Sequence, residues 1–328
     1  MQTIRQYLED ITANSADREL MTKFCYKGLS RGQLAELGQK GLNSYQGKVR
    51  ELVKTQDALW IYHTDRLSAF DRYIGMVPFK GQILAKISKF WLQKAAEIMP
   101  THYLTSPHNR IIKAEAMEPV KIEVIVRGYM AGSMARAYAE GHREFCGNTL
   151  PEGLKEFHPL PQPIITPTTK AEAYEHDEDT SAERAIQRGI VSAKEWNKIQ
   201  EMSFKLFKLG QDIYREKGWI LVDTKYEFGR TPSGEIKLID EIHTPDSSRL
   251  WVASTYQEHV GSGKAPEMLD KEIVRRFLLS QGFKGEGEVP EVPTEQLSNL
   301  ARVYLDVAEK LIGEPLLADL DQQPGLPD

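Results

Sequence analysis

A first group of acidic and basic residues that could do chemistry lies between Leu221 and Asp240. Side chains alternate between the two faces of a strand, so we expect Asp223, Lys225 and Glu227 to share one face. Asp240 follows a second apolar run, and pairing of the two runs as a hairpin would bring it across from Glu227. Two carboxylates on adjacent strands suit Mg²⁺, which takes oxygen ligands and leaves positions for water and nucleotide phosphates. A solvated hairpin with surface ion pairs is the alternative.

A second group of cations lies between Gly47 and Arg50. We expect Lys48 and Arg50 on one strand face, where they could hold nucleotide phosphates, while Gly47 lets the backbone come close to a ligand. Neither a GxxxxGK[ST] phosphate loop nor a GxGxxG dinucleotide pattern is present. A nucleotide would therefore bind in a kinase-like or grasp-like cleft, covered by a β-hairpin. An exposed strand that binds nothing is the alternative.

The third group would bind an anionic substrate. Arg127 ends a strand-like run, and Ser133 opens an expected helix after a turn bracketed by glycines. Helix N-termini bind anions through free N–H groups, and a guanidinium fork matches phosphate. Arg249, in a loop that also contains Asp246, could join Arg127 on the same phosphate. A capping serine and a surface arginine are the alternative.

The polar stretch from Thr168 to Thr180 is expected to be a loop, and it contains Lys170, His176 and Asp177. Long polar loops of this kind often close over substrates. A zinc site at His176 and Asp177 is disfavoured, because the HExxH pattern is missing and no cysteine is near.

The elements that must position these residues are a mixture of helices and strands. A hairpin is expected from Lys48–Lys54 and Ala58–Thr64, and further strands at Ile111–Ala114 and Val120–Val126. Proline-rich Pro151–Pro167 is expected to be irregular, and the tail after Ala318 to lie at the surface. Residues Thr3–Ile11 and Arg18–Glu36 are expected to form short helices and turns. Helices are predicted over Gln82–Ile98, Ser133–Glu140, Ser181–Gly189, Ser192–Glu216, Lys271–Ser280 and Thr294–Ile312.

Length and composition limit the class of protein. The 328 residues exceed the usual size of one hydrophobic core, so we expect two lobes, 1–117 and 118–328, with one large domain as the alternative. Apolar residues make up 41% and charged residues 27% of the chain, which is typical of a folded globular protein. The net charge of −5 argues against a protein that coats nucleic acid.

The cysteines and the apolar pattern indicate a reducing compartment. Cys25 and Cys146 are far apart and form no CxxC pattern, so we expect two ordinary thiols. The N-terminus has no apolar stretch of signal-peptide length, and no window approaches the ~20 apolar residues that span a bilayer. We therefore expect a cytoplasmic protein without a membrane segment.

The order of these motifs along the chain is more specific than any one of them. Together they resemble the phosphoribosylaminoimidazole-succinocarboxamide synthase (SAICAR synthetase) family of purine biosynthesis, over about Gly47 to Trp251. The motifs that carry the resemblance are Gly47–Glu51, Thr64–Asp71, Glu123–Tyr129, Gly132-Ser133, Thr166–Glu172, His176–Glu178, Leu221–Gly229, Asp240-Glu241 and Asp246–Arg249.

The resemblance implies an α+β fold with two lobes and a nucleotide cleft related to those of kinases and ATP-grasp enzymes. It also implies an ATP-dependent ligase. The family joins L-aspartate to the carboxylate of carboxyaminoimidazole ribonucleotide (CAIR), and splits ATP to ADP and phosphate. The implied partners are these small molecules, in a monomer or small homo-oligomer without nucleic acid.

The resemblance also implies a role for each matched residue. Gly47, Lys48, Arg50, Met117 and Lys170 would contact ATP, while Glu227 and Asp240 would hold Mg²⁺ next to it. Arg127, Ser133 and Arg249 would bind the ribose 5′-phosphate, with Asp246 and Asp177 also on the substrate. Asp223 and Lys225 would lie at the imidazole and its carboxylate, with Lys170 near the reacting groups.

Two segments depart from the family pattern. Lys121-Ile122-Glu123 stands where Pro-Leu-Glu is common, which concerns the hinge on the adenine side, and Met134 stands where an aromatic often follows the Gly-Ser pair. Two other functions stay open from the residues themselves. One is a small-molecule kinase that stops at phosphoryl transfer, and the other is a nucleotide-binding module without catalysis.

Overall fold

The structure, a computed structural model, describes residues 2–14, 18–169 and 178–327. Its helices are α1 Ile4–Ala13, α2 Arg18–Lys23, α3 Arg31–Gln39, α4 Lys80–Ala95, α5 Gly132–Ala139, α6 Ala182–Gln187, α7 Ala193–Glu216, α8 Ala253–Gly261, α9 Glu272–Ser280 and α10 Thr294–Ile312. Its strands are β1 Asn43–Gln46, β2 Arg50–Lys54, β3 Ala58–His63, β4 Arg66–Ala69, β5 Arg72–Met76, β6 Tyr103–His108, β7 Ile111–Glu115, β8 Glu118–Tyr129, β9 Glu144–Phe145, β10 Asn148–Thr149, β11 Pro159–Thr169, β12 Glu178–Asp179, β13 Trp219–Arg230, β14 Ile236–Ile239 and β15 Ser248–Val252. The predicted α+β class is confirmed.

Contacts divide the chain into two units. The first contains Met1–Phe90, Tyr103–Ala116 and Leu269–Asp328, and the second contains Trp91–His102 and Met117–Met268. The predicted lobes, 1–117 and 118–328, stay a prediction. The main difference between the units and the predicted lobes is at the C-terminus. The C-terminal residues belong to the same unit as the N-terminal ones, because α10 packs against α1 and Arg5 bonds to Glu309.

The first unit contains a five-stranded antiparallel sheet in the order β1-β2-β3-β7-β6. The predicted hairpin of β2 and β3 is confirmed, with Arg50 opposite His63. One face of this sheet contributes Val53 and Tyr62 to a core that also contains Leu37 from α3. The sheet therefore holds the Gly47–Arg50 segment at the start of β2.

The second unit contains a six-stranded antiparallel sheet in the order β12-β11-β8-β13-β14, with β15 also pairing with β13. One edge of β13 pairs with β8, while β15 and β14 share the other edge. The long helix α7, which begins at a capping box of Ser192 and Glu195, packs against β13. This central strand is thus fixed on both edges and on one face.

Several local expectations were wrong, two of them in the segments that precede the site. Lys48 lies in the turn between β1 and β2 and not on a strand, because the polar and exposed β1 forms an additional hairpin with β2. From Pro159 onwards, the proline-rich segment belongs to the strand β11, which pairs with β8. A register shift between Pro159 and Ile164 accommodates the intervening prolines, which cannot donate to a ladder.

Both cysteines are free thiols, as predicted, and burial raises the pKa of Cys146 to about 11. In the part of the chain that the structure describes, the helices are too short or too polar to cross a membrane.

Candidate active site

The polar residues of β13 lie on one face of a strand whose neighbours bury it. Asp223 and Glu227 are buried, and Lys225 keeps 26% of its side chain exposed. Charges at such positions are costly unless they are paired. The partners come from β8, β14 and β15, so the pairing of the sheet determines which charges meet.

Three carboxylates surround the ammonium group of Lys225. The Lys225 Nζ donates to Glu123 Oε1 at 2.8 Å and to Glu227 Oε1, and it lies 3.8 Å from Asp240 Oδ2. Glu123 and Glu227 face each other across β8 and β13. Burial lowers the pKa of Lys225, but attraction to Glu227, Glu123 and Asp240 outweighs it and raises the pKa well above its usual value. The lysine is therefore charged and neutralises part of this cluster.

Asp240 reaches the cluster because of the hairpin that the sequence predicts. Glu227 pairs with Ile239, and Asp240 is the next residue, at the point where the chain leaves β14. Its backbone has φ +64°, which is uncommon for a residue with a side chain. Strained backbone of this kind is often found at functional sites.

At the other end of the face, Asp223 lies between two arginines. The register places Asp223 opposite Arg127 on β8 and opposite Arg249 on β15, so Arg249 is on a strand and not in the expected loop. Arg249 Nη1 donates to Asp223 Oδ2 at 2.7 Å, and Arg127 Nη1 lies 3.6 Å from the same oxygen. Arg127 Nε donates to Thr166 Oγ1 at 2.8 Å. Burial and Arg249 lower the pKa of Arg127, while Asp223 opposes them.

The N-terminus of α5 adjoins these arginines. Gly132 has φ +63°, and a Cβ at this position would collide with the Arg249 guanidinium. Only a glycine therefore lets the helix begin so close to Arg249. The N-cap residue is Ala131, which makes no side-chain capping bond, and Ser133 is exposed in the first turn. The N–H groups of this turn and the two guanidinium groups form a place suited to an anion.

In the first unit, Gly47 and Lys48 lie in the β1–β2 turn and Arg50 begins β2. Lys48 is exposed and pairs with Asp71 at 2.6 Å. A Cβ at Gly47 would lie 3.1 Å from the Arg50 carbonyl oxygen, so the turn is tight.

Arg66 holds this turn, and the sequence did not single it out. Its guanidinium donates to the carbonyl oxygens of Gly47 at 3.1 Å, Lys48 at 3.2 Å and Arg50 at 3.4 Å. It also donates to Glu51 Oε1 at 2.9 Å. Arg66 is part of the Thr64–Asp71 motif, so the resemblance pointed to its neighbourhood. Its role could not be predicted, because an arginine that bonds to backbone carbonyls has no recognisable local sequence pattern.

The remaining predicted residues have different positions. Met117 lies in the β7–β8 connection, where its Cβ would be 3.0 Å from a Cβ at Gly229. Asp246 is half-buried in the β14–β15 loop. Lys170 and Asp177, like His176, lie outside the described residues.

The donor set around Glu227 and Asp240 fits a magnesium ion. Both carboxylates face the same cationic atom, Lys225 Nζ, so their oxygens already converge on a position for positive charge. Within residues 2–14, 18–169 and 178–327, no group of three or more His, Cys, Asp or Glu side chains is arranged to hold a metal by itself. Mg²⁺ commonly takes one or two carboxylates, with phosphates and water completing its coordination.

Comparison with known proteins gives one family. The model of that family, SAICAR synthetase, matches residues 43–292. The phosphoribosylaminoimidazole-succinocarboxamide synthase of Flavobacterium psychrophilum is 43% identical over 274 residues, which is 82% of this chain and 87% of the relative.

Two solved structures extend the similarity to the fold. A SAICAR synthase from Saccharomyces cerevisiae, complexed with SAICAR, has a TM-score of 0.72 and 30% identity, and covers 84% of this chain and 96% of its own. A type-2 SAICAR synthetase in complex with ADP has a TM-score of 0.65 and 27% identity, and covers 83% of this chain and 99% of its own.

Proposed function

This chain belongs to the SAICAR synthetase family, and we propose that the polar face of β13 carries the family reaction. The protein is an ATP-dependent ligase of de novo purine biosynthesis, which condenses L-aspartate with CAIR to give SAICAR, ADP and phosphate. One observation gives the strongest support for placing the reaction on this face of β13. A single strand presents Asp223 between two arginines at one end and Lys225 among three carboxylates at the other.

The end near α5 is proposed to bind the ribonucleotide. Arg127 and Arg249 supply two guanidinium groups, and the N-terminal N–H groups of α5 and Ser133 supply further donors for the 5′-phosphate. Asp223 keeps both guanidinium groups in place before substrate binds, which lowers the ordering cost of binding. Asp223 would also accept a hydrogen bond from the imidazole side of CAIR, and Asp246 and Asp177 would complete the substrate contacts.

The nucleotide is proposed to contact Gly47, Lys48, Arg50, Met117 and Lys170. The β1–β2 turn and the start of β2 offer two cations, Lys48 and Arg50, which suits a polyphosphate. The ADP complex of the type-2 relative supports binding of an adenine nucleotide in this family. The ion pair between Lys48 and Asp71 would have to open for Lys48 to contact a phosphate, and because both side chains are exposed this costs little.

Glu227 and Asp240 are proposed to hold Mg²⁺. When bound, Mg²⁺ neutralises phosphate charge at the point where the γ-phosphoryl group is transferred. The ammonium of Lys225 lies next to both carboxylates and can neutralise an anionic reactant. The charged groups that a reaction between anions requires are therefore in place on the enzyme.

The chemistry needs electrostatics and orientation more than a nucleophile. A carboxylate is a poor acyl donor, so the CAIR carboxylate first takes the γ-phosphoryl group of ATP and becomes an acyl phosphate. The amine of L-aspartate then attacks the carbonyl carbon, and phosphate leaves. Lys225 and Lys170 would stabilise the negative charge that these steps bring together. No covalent bond to the enzyme is required.

The expected partners of this site are ATP, CAIR and L-aspartate. The SAICAR in the yeast relative supports binding of the ribonucleotide product in the family. A cytoplasmic location and a monomer or small homo-oligomer that does not bind nucleic acid are part of the same proposal.

The kinase alternative is disfavoured by family membership and differs from the ligase in one measurable way. We expect ADP release from CAIR, ATP and Mg²⁺ to depend on L-aspartate, with one SAICAR formed per ADP. Coupled detection of ADP and chromatography of the product measure both quantities. Stoichiometric ADP with a phosphorylated product that lacks aspartate would establish the kinase instead.

A further inference from the structure

The two carboxylates proposed to hold Mg²⁺ come from different elements. Glu227 lies within β13 and is fixed by the ladders on both edges of the strand. Asp240 lies one residue beyond β14, at the start of the loop that runs to β15. The distance between their oxygens therefore depends on what holds this loop, which we call the 240–247 loop.

The loop has a strained backbone. Asp240 has φ +64° and His243 has φ +56°, and neither is a glycine. A residue other than glycine in this region is strained, and the strain persists only where the surroundings impose it. Some contact must therefore hold both residues in this conformation.

The side chain of His243 provides that contact. It is 0% exposed, and its Nε2 forms a hydrogen bond of 2.6 Å with the hydroxyl of Tyr226. Tyr226 directly precedes Glu227 on β13, and its side chain lies on the opposite face of the strand. The bond thus ties the loop that carries Asp240 to the strand that carries Glu227.

Three further contacts hold His243, two at its ring and one at its backbone carbonyl. Trp91 packs against the ring at 4.5 Å in a T-shaped arrangement, and the hydroxyl of Tyr214 donates to the carbonyl oxygen of His243. A Cβ at Gly210 on α7 would lie 2.7 Å from His243 Cε1. Glycine is unfavourable inside a helix, and the close approach of His243 explains it here. The ring of His243 is therefore closely packed between Trp91 and α7.

We propose that His243 is a positioning residue for the metal end of the site. Through Tyr226 it sets the location of Asp240 relative to Glu227, although it touches neither substrate nor metal. This inference rests on the proposed metal role of Glu227 and Asp240. It assigns a purpose to a buried histidine that no part of the reaction uses.

The test replaces either partner of the bond. His243→Phe keeps an aromatic ring against Trp91 but loses the hydrogen bond, and Tyr226→Phe removes the same bond from the strand side. Binding of Mn²⁺ in the presence of ADP, measured by electron paramagnetic resonance, should weaken about 10-fold in each variant, as is typical when a group that orients a metal ligand is lost. The KM for CAIR should change less than the affinity for Mn²⁺, because pairing with β13 holds Arg127 on β8 and Arg249 on β15 in place. The double variant should bind Mn²⁺ no more weakly than His243→Phe does, since both changes remove one bond.

Tyr138→Phe is the matched control. It removes a buried tyrosine hydroxyl that donates to Pro151 O at 2.6 Å, in the same unit but outside the loop. Its Mn²⁺ binding should equal that of the wild type. If His243→Phe does not fold, Tyr226→Phe decides the question.

Asp240→Asn separates this inference from the proposed function. If Asp240→Asn weakens Mn²⁺ binding while both loop variants bind it normally, the positioning role is wrong and the metal assignment stands. If Asp240→Asn itself binds Mn²⁺ normally, the metal assignment is wrong. If Tyr138→Phe weakens binding as much as Tyr226→Phe does, the effect is a general loss of stability and the inference fails.

Discussion

At the scale of single residues, the site is a row of charges whose partners are chosen by strand register. Asp223 meets two arginines because it lies opposite both in the ladders, and Glu227 meets Glu123 in the same way. A shift of one residue would turn these side chains to the other face. The positions of these charged side chains are therefore fixed by the register of the sheet.

Arg249→Ala should weaken ribonucleotide binding more than ATP binding. It removes a guanidinium that would contact the phosphate, and one charge-assisted contact is worth about 1.5–3 kcal/mol, or roughly a 10- to 100-fold rise in the KM for CAIR. Steady-state kinetics with CAIR and ATP varied separately measure this. Arg143→Ala is a suitable control, because it also removes a guanidinium that bonds to a carboxylate, that of Glu152, but at the surface. Equal KM values for Arg249→Ala and the wild type would reject the phosphate assignment.

Much of this residue pattern could be predicted from the sequence. The apolar runs and the alternation of polar residues predict the β13–β14 hairpin and one polar face, because both depend on neighbours in the chain. The pairing of Asp223 with Arg127 and Arg249 could not be derived from periodicity, since it depends on strands far apart in sequence. The resemblance grouped the arginines, and the register explains why they meet.

At the scale of elements, short segments that support the site carry little local signal. The β1 strand, Asn43–Gln46, is polar and exposed, so nothing in its composition distinguishes it from a loop. Its pairing with β2 nevertheless places Gly47 and Lys48 in a turn. Arg66 and His243 each hold a loop in place by contacts that no spacing rule describes.

Arg66→Lys should raise the KM for ATP and leave that for CAIR nearly unchanged. Lysine keeps the charge, but it cannot bond to the carbonyl groups of Gly47, Lys48 and Arg50 together. Loss of two bonds costs about 1–2 kcal/mol, which corresponds to roughly a 5- to 30-fold effect. Arg5→Ala, which removes ion pairs between α1 and α10, is the control. A KM for ATP within twofold of the wild type would show that the turn does not need Arg66.

The C-terminal tail is an element that the sequence places at the surface, but part of it is packed. Pro324 and Pro327 are buried, and Leu326 packs on the core that contains Val53 and Tyr62. Backbone carbonyls of the tail accept bonds from Gln33, Tyr62 and Lys40. Proline-rich composition predicts the absence of a helix but does not predict docking.

Deletion of residues 322–328 should therefore destabilise the protein. The lost apolar burial and three hydrogen bonds amount to about 2–4 kcal/mol, which would lower the Tm by roughly 4 to 8 °C. Differential scanning calorimetry measures the change. Gln322→Ala with Gln323→Ala, at exposed positions of the same tail, should keep the wild-type Tm. An unchanged Tm in the deletion would mean that the tail contributes nothing to the fold.

At the scale of the whole molecule, buried titratable groups link stability to pH. Burial lowers the pKa of His243 from its usual 6.5 to about 3 in the folded protein. Between these values the unfolded chain binds a proton that the folded protein does not. The contribution of His243 to the free energy of unfolding is therefore complete above about pH 6.5 and decreases as the pH falls towards 3.

His243→Gln should remove this contribution. We expect the unfolding free energy of the wild type to fall with acid more steeply than that of the variant, by up to about 1.4 kcal/mol per pH unit. Urea denaturation at pH 7.5, 6.0 and 5.0 measures both. The carboxylates contribute equally to the two proteins, so the difference isolates the histidine. Parallel curves would mean that His243 does not titrate as a buried neutral group.

In the proposed mechanism, the function of the whole molecule depends on β13 serving both ends of the reaction. Asp240→Asn tests this most directly, because the amide has nearly the same size but lacks the charge that a metal requires. The measurement is SAICAR and ADP formation from CAIR, ATP and L-aspartate across a range of Mg²⁺ concentrations, with the Tm as a check on folding. We predict equal amounts of both products from the wild type, and a variant with a near-normal Tm whose turnover is lower by about 100-fold or more. Near-normal turnover of Asp240→Asn at the same Mg²⁺ concentrations would contradict the account.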